Sequence, residues 1–214
     1  MIEEKPILAI ETSGEQCSVC VYWNSEKYVE TTSRIKFSHS KKIFSIVENC
    51  LSTAELSLEN LSFIAVSIGP GSFTGLRIGL AAAKGIALGA SLPIVPVPTF
   101  EAIALEALVY TKNDERFFIA NKVNKEEIYF AGFINNENIY KFVRELGIVS
   151  RAELENNFCD ENIYGNAGNG LLRFPSAKTV AEWCKLSGKL EQTANDFLEP
   201  LYIKDFLVKG LNSK

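Results

Sequence analysis

Short apolar blocks open the chain. Residues 7–11, 16–23 and 27–33 read as three successive strands, parted by the turn residues Ser13-Gly14-Glu15 and Asn24-Ser25-Glu26, which predicts a hairpin meander. The period then changes. Between residues 38 and 54 apolar side chains fall at 43, 46, 47, 50, 51 and 54, the spacing of one helix face, with Ser38 placed to cap it. A strand-length apolar run at 63–68 ends in Gly69-Pro70-Gly71, which turns into a second helix over 72–90. Residues 93–97 read as a strand, and Thr99 caps a helix that runs to about Tyr110. Beyond it, 116–122, 127–134 and 138–143 read as strands, 150–157 as a short helix, 161–164 as a strand and 176–189 as a helix.

The order βββαβα thus occurs twice, although no sequence repeat links the halves. It predicts an α/β chain with an N-terminal lobe, 1–110, that carries the partner-binding helices, and a smaller C-terminal lobe, 111–214. A doubled βββαβα is the topology of the actin-like (ASKHA) fold, in which two ribonuclease-H-like lobes flank a cleft.

Composition narrows the function classes. With 22 Lys and Arg against 26 Asp and Glu, the net charge of −4 argues against an extensive phosphate-binding surface, so any RNA is expected to be held by a partner. The most apolar segment, 76–90, is broken by Arg77 and Lys84, and the charged Glu3, Glu4 and Lys5 precede only a short apolar run. A cytoplasmic protein without a membrane span is expected. Five cysteines at unrelated spacings are no disulfide framework, and Cys17 and Cys20 lie on a strand, where residues three apart point to opposite faces; they read as core residues, not as a redox pair.

The most specific feature is Gly69-Pro70-Gly71-Ser72-Phe73-Thr74-Gly75-Leu76-Arg77-Ile78-Gly79 between a strand and a helix. A glycine-rich strand-to-helix turn can offer backbone N–H groups to an anion. It can equally be a tight turn with Ser72 as helix cap. It matches neither the dinucleotide nor the P-loop template, since Thr74 stands where a third glycine belongs and no Lys follows Gly75. The stretch closely resembles the signature of the TsaB (YeaZ) family. Ile7 to Ser13, Ser38-His39-Ser40, Pro98-Thr99-Phe100-Glu101 and Pro200-Leu201-Tyr202-Ile203 resemble that family in the same order. One departure is Glu11, where the family usually has Asp.

The resemblance implies a non-catalytic relative of TsaD, the subunit that transfers a threonylcarbamoyl group to the adenosine beside the tRNA anticodon. It implies a TsaD-type partner, a TsaE-type ATPase in the same pathway, tRNA met only through the complex, and a second copy of the chain as an alternative partner. No cofactor of its own is expected, and any adenine nucleotide belongs to the complex. The residues agree with a chain that lacks catalysis. His39 is the single histidine, and Ile43 stands at the i+4 position where a second metal-binding histidine would be, so neither a metal site nor a histidine-dependent nucleophile is expected. Thr12, Ser13, Gly69, Gly71 and Ser72 remain as anion-binding candidates. A stand-alone actin-like ATPase or sugar kinase is disfavoured because Glu11-Thr12-Ser13-Gly14 lacks the Asp-x-Gly pattern, and a glycoprotease because no nucleophile is placed for it. The glycine-rich 165–170 reads as a plain turn.

The first two helices carry the partner surface. Apolar residues of the first span roughly 160° of its wheel, wider than the 100° or so a helix needs to face one core, which leaves Phe44 and Leu51 at the edge. On the second, Leu80 and Leu88 flank the strip marked by Arg77 and Lys84, while Gly75, Gly79, Ala82, Gly85 and Gly89 are expected to pack inward. The expected docking face therefore comprises His39, Ile43, Phe44 and Ile46 with Leu76, Arg77, Leu80, Lys84 and Leu88, as the family resemblance also implies.

Overall fold

Residues Ile7–Glu11 (β1) and Cys17–Tyr22 (β2) are buried at every position, which a strand tolerates only inside a sheet covered on both faces. The computed structural model describes residues 5–35, 38–168, 172–188, 198–201 and 203. It places these strands in a five-stranded sheet of order β3-β2-β1-β4-β5, with β3 Tyr28–Ser33, β4 Ile64–Gly69 and β5 Ile94–Pro98. The first three strands run antiparallel as a meander; β1, β4 and β5 are parallel. Parallel neighbours need crossovers. These are supplied by α1 (His39–Thr53) and α2 (Phe73–Ala90), after which α3 (Thr99–Ala107) leads away.

Alternation along β1 feeds two cores. Leu8 and Ile10 pack with Ile43, Ile46 and Val47 of α1 and with Leu80 and Ala83 of α2. Ile7 and Ala9 face the other way, toward Ala102 of α3 and Val180, Ala181, Trp183 and Cys184 of the last helix, α5 (Ala177–Ser187). The second sheet has the order β8-β7-β6-β9, with β6 Arg116–Lys122, β7 Glu127–Asn136, β8 Ile139–Ser150 and β9 Ile163–Tyr164. Phe117 and Phe133 on one of its faces meet Phe100, Ile103 and Ala107 of α3, and Phe118 and Phe130 on the other meet Leu154 of α4 (Arg151–Asn157). This is the actin-like α/β fold with two ribonuclease-H-like sheets.

The last helix belongs by sequence to the second half but serves the first sheet. Its N-terminal amides are met by residues from elsewhere: Ser176 N–H donates to Glu106 Oε2 at 3.2 Å, Ala177 N–H to Ser18 Oγ at 3.1 Å and Lys178 N–H to Glu30 Oε1 at 3.0 Å. Such pairings satisfy orphan helix donors and favour a negative charge at that end. Cys17 and Cys20 are buried in opposite cores of the sheet, and burial pushes the Cys17 thiol up to about 11 and that of Cys20 higher still. They are packing residues.

Several local expectations need correction. Strand β8 runs on to Ser150, well past the apolar run at 138–143, because backbone pairing with β7 continues across a bulge near Gly132. Ser38 precedes α1 without capping it, since its hydroxyl donates back to Ile35 O at 2.6 Å. Thr99 likewise does not cap α3; its Oγ1 accepts from the Gly69 N–H at 3.1 Å. Lys189, the expected end of the last helix, and Asn169, Gly170 and Tyr202 of the motifs above lie outside the described residues.

Candidate functional site

Two loops meet where the first sheet ends. The β1–β2 hairpin, Thr12 to Gly14, lies against the turn from β4 into α2, and the glycines of the signature are what allow the approach. A Cβ on Gly71 would stand 2.5 Å from Ser13 O, one on Gly75 2.1 Å from Thr12 O, and one on Gly79 2.1 Å from Thr12 Oγ1. Thr12 Oγ1 donates to Gly75 O at 2.8 Å, Ser72 N–H to Ser13 O at 2.7 Å, and Ser72 Oγ caps α2 by accepting from Gly75 N–H at 3.2 Å. The space an anion would take over Gly75 and Gly79 is thus occupied by the hairpin. Among the anion-binding candidates, Thr12, Ser13, Gly71 and Ser72 come together here. Gly69, at φ +113°, shapes the turn one step back. Gly79→Ala should destabilise the fold by about 1–3 kcal/mol through overpacking on Thr12, read as a lower midpoint in urea; an unchanged midpoint would mean that the hairpin yields.

Beneath the hairpin Glu11 is fully buried. Ser13 N–H donates to its Oε1 and the Ser67 hydroxyl to its Oε2. Burial raises its pKa to about 7, against the downward pull of these hydrogen bonds. His39, half-buried, donates through Nε2 to Gln16 O at 3.0 Å and so fastens the start of α1 to the residue just before β2. It shares with Ser72, Thr74, Gly75 and Ile78 the wall of a cavity of about 440 Å³. Among the described residues, no three His, Cys, Asp or Glu side chains gather where a metal could bind, and no helix is long and apolar enough to cross a membrane.

The residues expected on a docking face are split by the structure. Phe44 is 54% exposed and Leu88 84% exposed, on the outer sides of α1 and α2. Arg77 is exposed with its guanidinium 3.8 Å over the Phe73 ring, and Lys84 is half-buried. Ile43, Ile46 and Leu76 face the core. Leu80 does too, at 5% exposure, which corrects its expected place at the centre of an outward strip: it packs between α2 and the sheet. Gly85 and Gly89, expected to pack inward, are exposed instead, and a Cβ on either would meet nothing within 4 Å. The outer face of α2 is therefore Ala81, Gly85, Leu88 and Gly89.

Sequence reasoning passed over one side of this region. Asn121 at the end of β6, Asn166 after β9 and Phe174 close on the hairpin from the second sheet, bounding a cleft of about 220 Å³ with Ser13, Gly71 and Ser72. Phe174 sits directly over Gly14, where a Cβ would come within 2.2 Å of its ring. A lone asparagine at a strand end carries no motif, so only the fold could bring it here.

A family model described as "TsaD: tRNA N6-adenosine threonylcarbamoyltransferase" matches residues 30–131. The chain is 38% identical over 133 residues to the tRNA threonylcarbamoyladenosine biosynthesis protein TsaB of Escherichia coli, covering 62% of this chain and 56% of that protein. It therefore spans little more than half the length of that curated relative. It is 30% identical over 174 residues to TsaB of Buchnera aphidicola subsp. Baizongia pistaciae, covering 80% of this chain and 78% of the relative. A Pseudomonas aeruginosa crystal structure described as an uncharacterized protein with similarity to peptidase YEAZ superposes with a TM-score of 0.80 at 19% identity, over 94% of this chain and 100% of the other.

Proposed function

The chain belongs to the TsaB family of tRNA threonylcarbamoyladenosine biosynthesis proteins, and we accordingly propose that it serves this tRNA modification without chemistry of its own, as a scaffold that docks onto a TsaD-type transferase. One observation carries the reading: α1 exposes Phe44, and α2 exposes Leu88 beside the small residues Ala81, Gly85 and Gly89. A glycine inside a helix costs about 1 kcal/mol relative to alanine, and at 85 and 89 no close packing among the described residues offsets it. Small exposed residues beside large apolar ones suit a helix of another subunit at close range.

The net charge of −4 supports tRNA reaching the protein through the complex. A TsaE-type ATPase and any adenine nucleotide act on that assembly, in the cytoplasm. A second copy of the chain is the competing occupant of the same face. Measuring the masses of assemblies formed by the purified chain, with and without a TsaD-type subunit, tests the reading; a chain that stays alone with either partner would overturn it. The isolated chain should show no transferase, peptidase or ATPase turnover. Turnover that survives purification and vanishes on Thr12→Ala would mark it as an enzyme.

A further inference from the structure

We infer that Tyr140 clasps the two sheets together: a hydrogen-bond chain from Trp183 through Tyr140 to Glu101 fixes the angle between them, so that the protein moves as one body. This goes beyond the docking role and does not depend on it. The Trp183 indole N–H donates to the Tyr140 hydroxyl at 2.8 Å, and that hydroxyl donates in turn to Glu101 Oε2 at 2.8 Å. The three side chains come from three elements: Trp183 from α5, which covers the first sheet, Glu101 from the first turn of α3, and Tyr140 from β8, the edge strand of the second sheet. Tyr140 also packs against two cores at once, one on the first sheet with Ala102, Val180 and Trp183, the other on the second with Phe100, Ile103 and Phe133.

Apolar contact alone would leave that angle loose. Burial of apolar surface is non-directional, and elements packed through it can slide on one another. Hydrogen bonds weaken steeply once bent from their preferred geometry, and here the phenol is held at both ends. The indole N–H only donates and the carboxylate accepts, so the hydroxyl between them must accept from one and donate to the other. Burial, with the Glu101 carboxylate beside it, pushes the phenol well above its ordinary pKa and so keeps the proton that the second bond needs. The ring stands edge-on to Phe133 with centroids 5.7 Å apart, which seats the hydroxyl between its partners. Trp183 is 4% exposed, so rocking of the second sheet would pull a buried N–H off its acceptor. Buried donors are almost always paired, and such a motion is disfavoured.

The angle is read on the full chain as the distance between two spin labels, by double electron–electron resonance. Ser52→Cys on α1 and Asn156→Cys on α4, both at exposed positions, put one label over each sheet. Cys159→Ser removes the exposed native thiol; the other four cysteines are buried, with thiols raised by burial, and take no label. The parent should give a single narrow distance distribution. Tyr140→Phe keeps the ring but loses both bonds, so the distribution should broaden and Tm should fall by about 2–6 °C. Glu101→Gln retains an acceptor and should keep the distribution narrow. Glu101→Leu cuts the chain at its other end and should broaden the distribution as Tyr140→Phe does, which also carries the comparison if the tyrosine variant fails to fold. A broad distribution in the parent would overturn the proposal, and so would one that stays narrow when either end of the chain is cut, since packing alone would then hold the sheets.

Discussion

Leu88→Glu should abolish docking of a TsaD-type subunit while moving the melting temperature of the isolated chain by less than about 2 °C, and Leu80→Glu should prevent folding. The two leucines lie only about 80° apart on the helix wheel, at 3.6 residues per turn. One is 84% exposed; the other is 5% exposed and packed with Ile43, Val47 and Ala83 over the first sheet. A carboxylate at position 80 would be buried without a partner, at a cost of about 3–5 kcal/mol, a large part of a domain's whole stability. At position 88 the charge stays in water until a partner covers it, and the same cost then falls on binding. Gly85→Leu should behave like Leu88→Glu, since it fills the close-approach strip at a position where an added Cβ meets nothing within 4 Å among the described residues. Thermal unfolding and sedimentation of each variant with the partner decide the matter. Tight binding by Leu88→Glu would move the interface elsewhere, and a folded Leu80→Glu would refute the inward placement of that side chain.

Stability should fall as pH rises from about 4.5 to 7, and Glu11→Gln should remove much of the fall. The sign follows from proton counts. Burial lifts Glu11 from 4.5 to about 7, so between those values the folded state holds a proton that the unfolded chain has released. Stability is then greatest below the unfolded value, is lost through the window, and above pH 7 carries the full cost of the buried charge, about 3 kcal/mol. Glu30 and Glu106, also raised by burial, act in the same direction. Glutamine keeps the acceptor for Ser13 N–H and can donate to Ser67, so Glu11→Gln should match the parent near pH 4.5 and exceed it at pH 8. Urea unfolding at both values measures this. Parallel profiles for parent and variant would show that Glu11 is ionised in the folded state throughout.

Much of the fold was legible because the inner strands β1, β2, β4, β6 and β7 are buried on both faces and therefore stand out as apolar runs bounded by turn residues; β1 and β6 were located to the residue. The docking face was harder. A helix wheel orders side chains around an axis but does not say where the sheet lies, and the strip marked by Arg77 and Lys84 pulled Leu80 outward with it. The glycines show a similar ambiguity. Gly75 and Gly79 are small because the Thr12 hairpin presses on them, whereas a Cβ at Gly85 or Gly89 would meet nothing within 4 Å among the described residues, yet the residue type is the same in all four. Asn121 was out of reach entirely, since only the fold sets it across a cleft from a hairpin more than a hundred positions away.

The placement of α5 also bears on how the protein is made. The first sheet is complete in strands by residue 98, but one of its faces is closed by Val180, Ala181, Trp183 and Cys184. During synthesis the N-terminal half must therefore wait, with Ile7, Ala9, Tyr22 and Ala65 uncovered on that side, until nearly ninety more residues have left the ribosome. A polypeptide stopped at residue 110 would carry five strands and half their cover. The nascent chain thus commits its native core late, and early collapse of the exposed face onto other chains is the hazard built into this order of assembly.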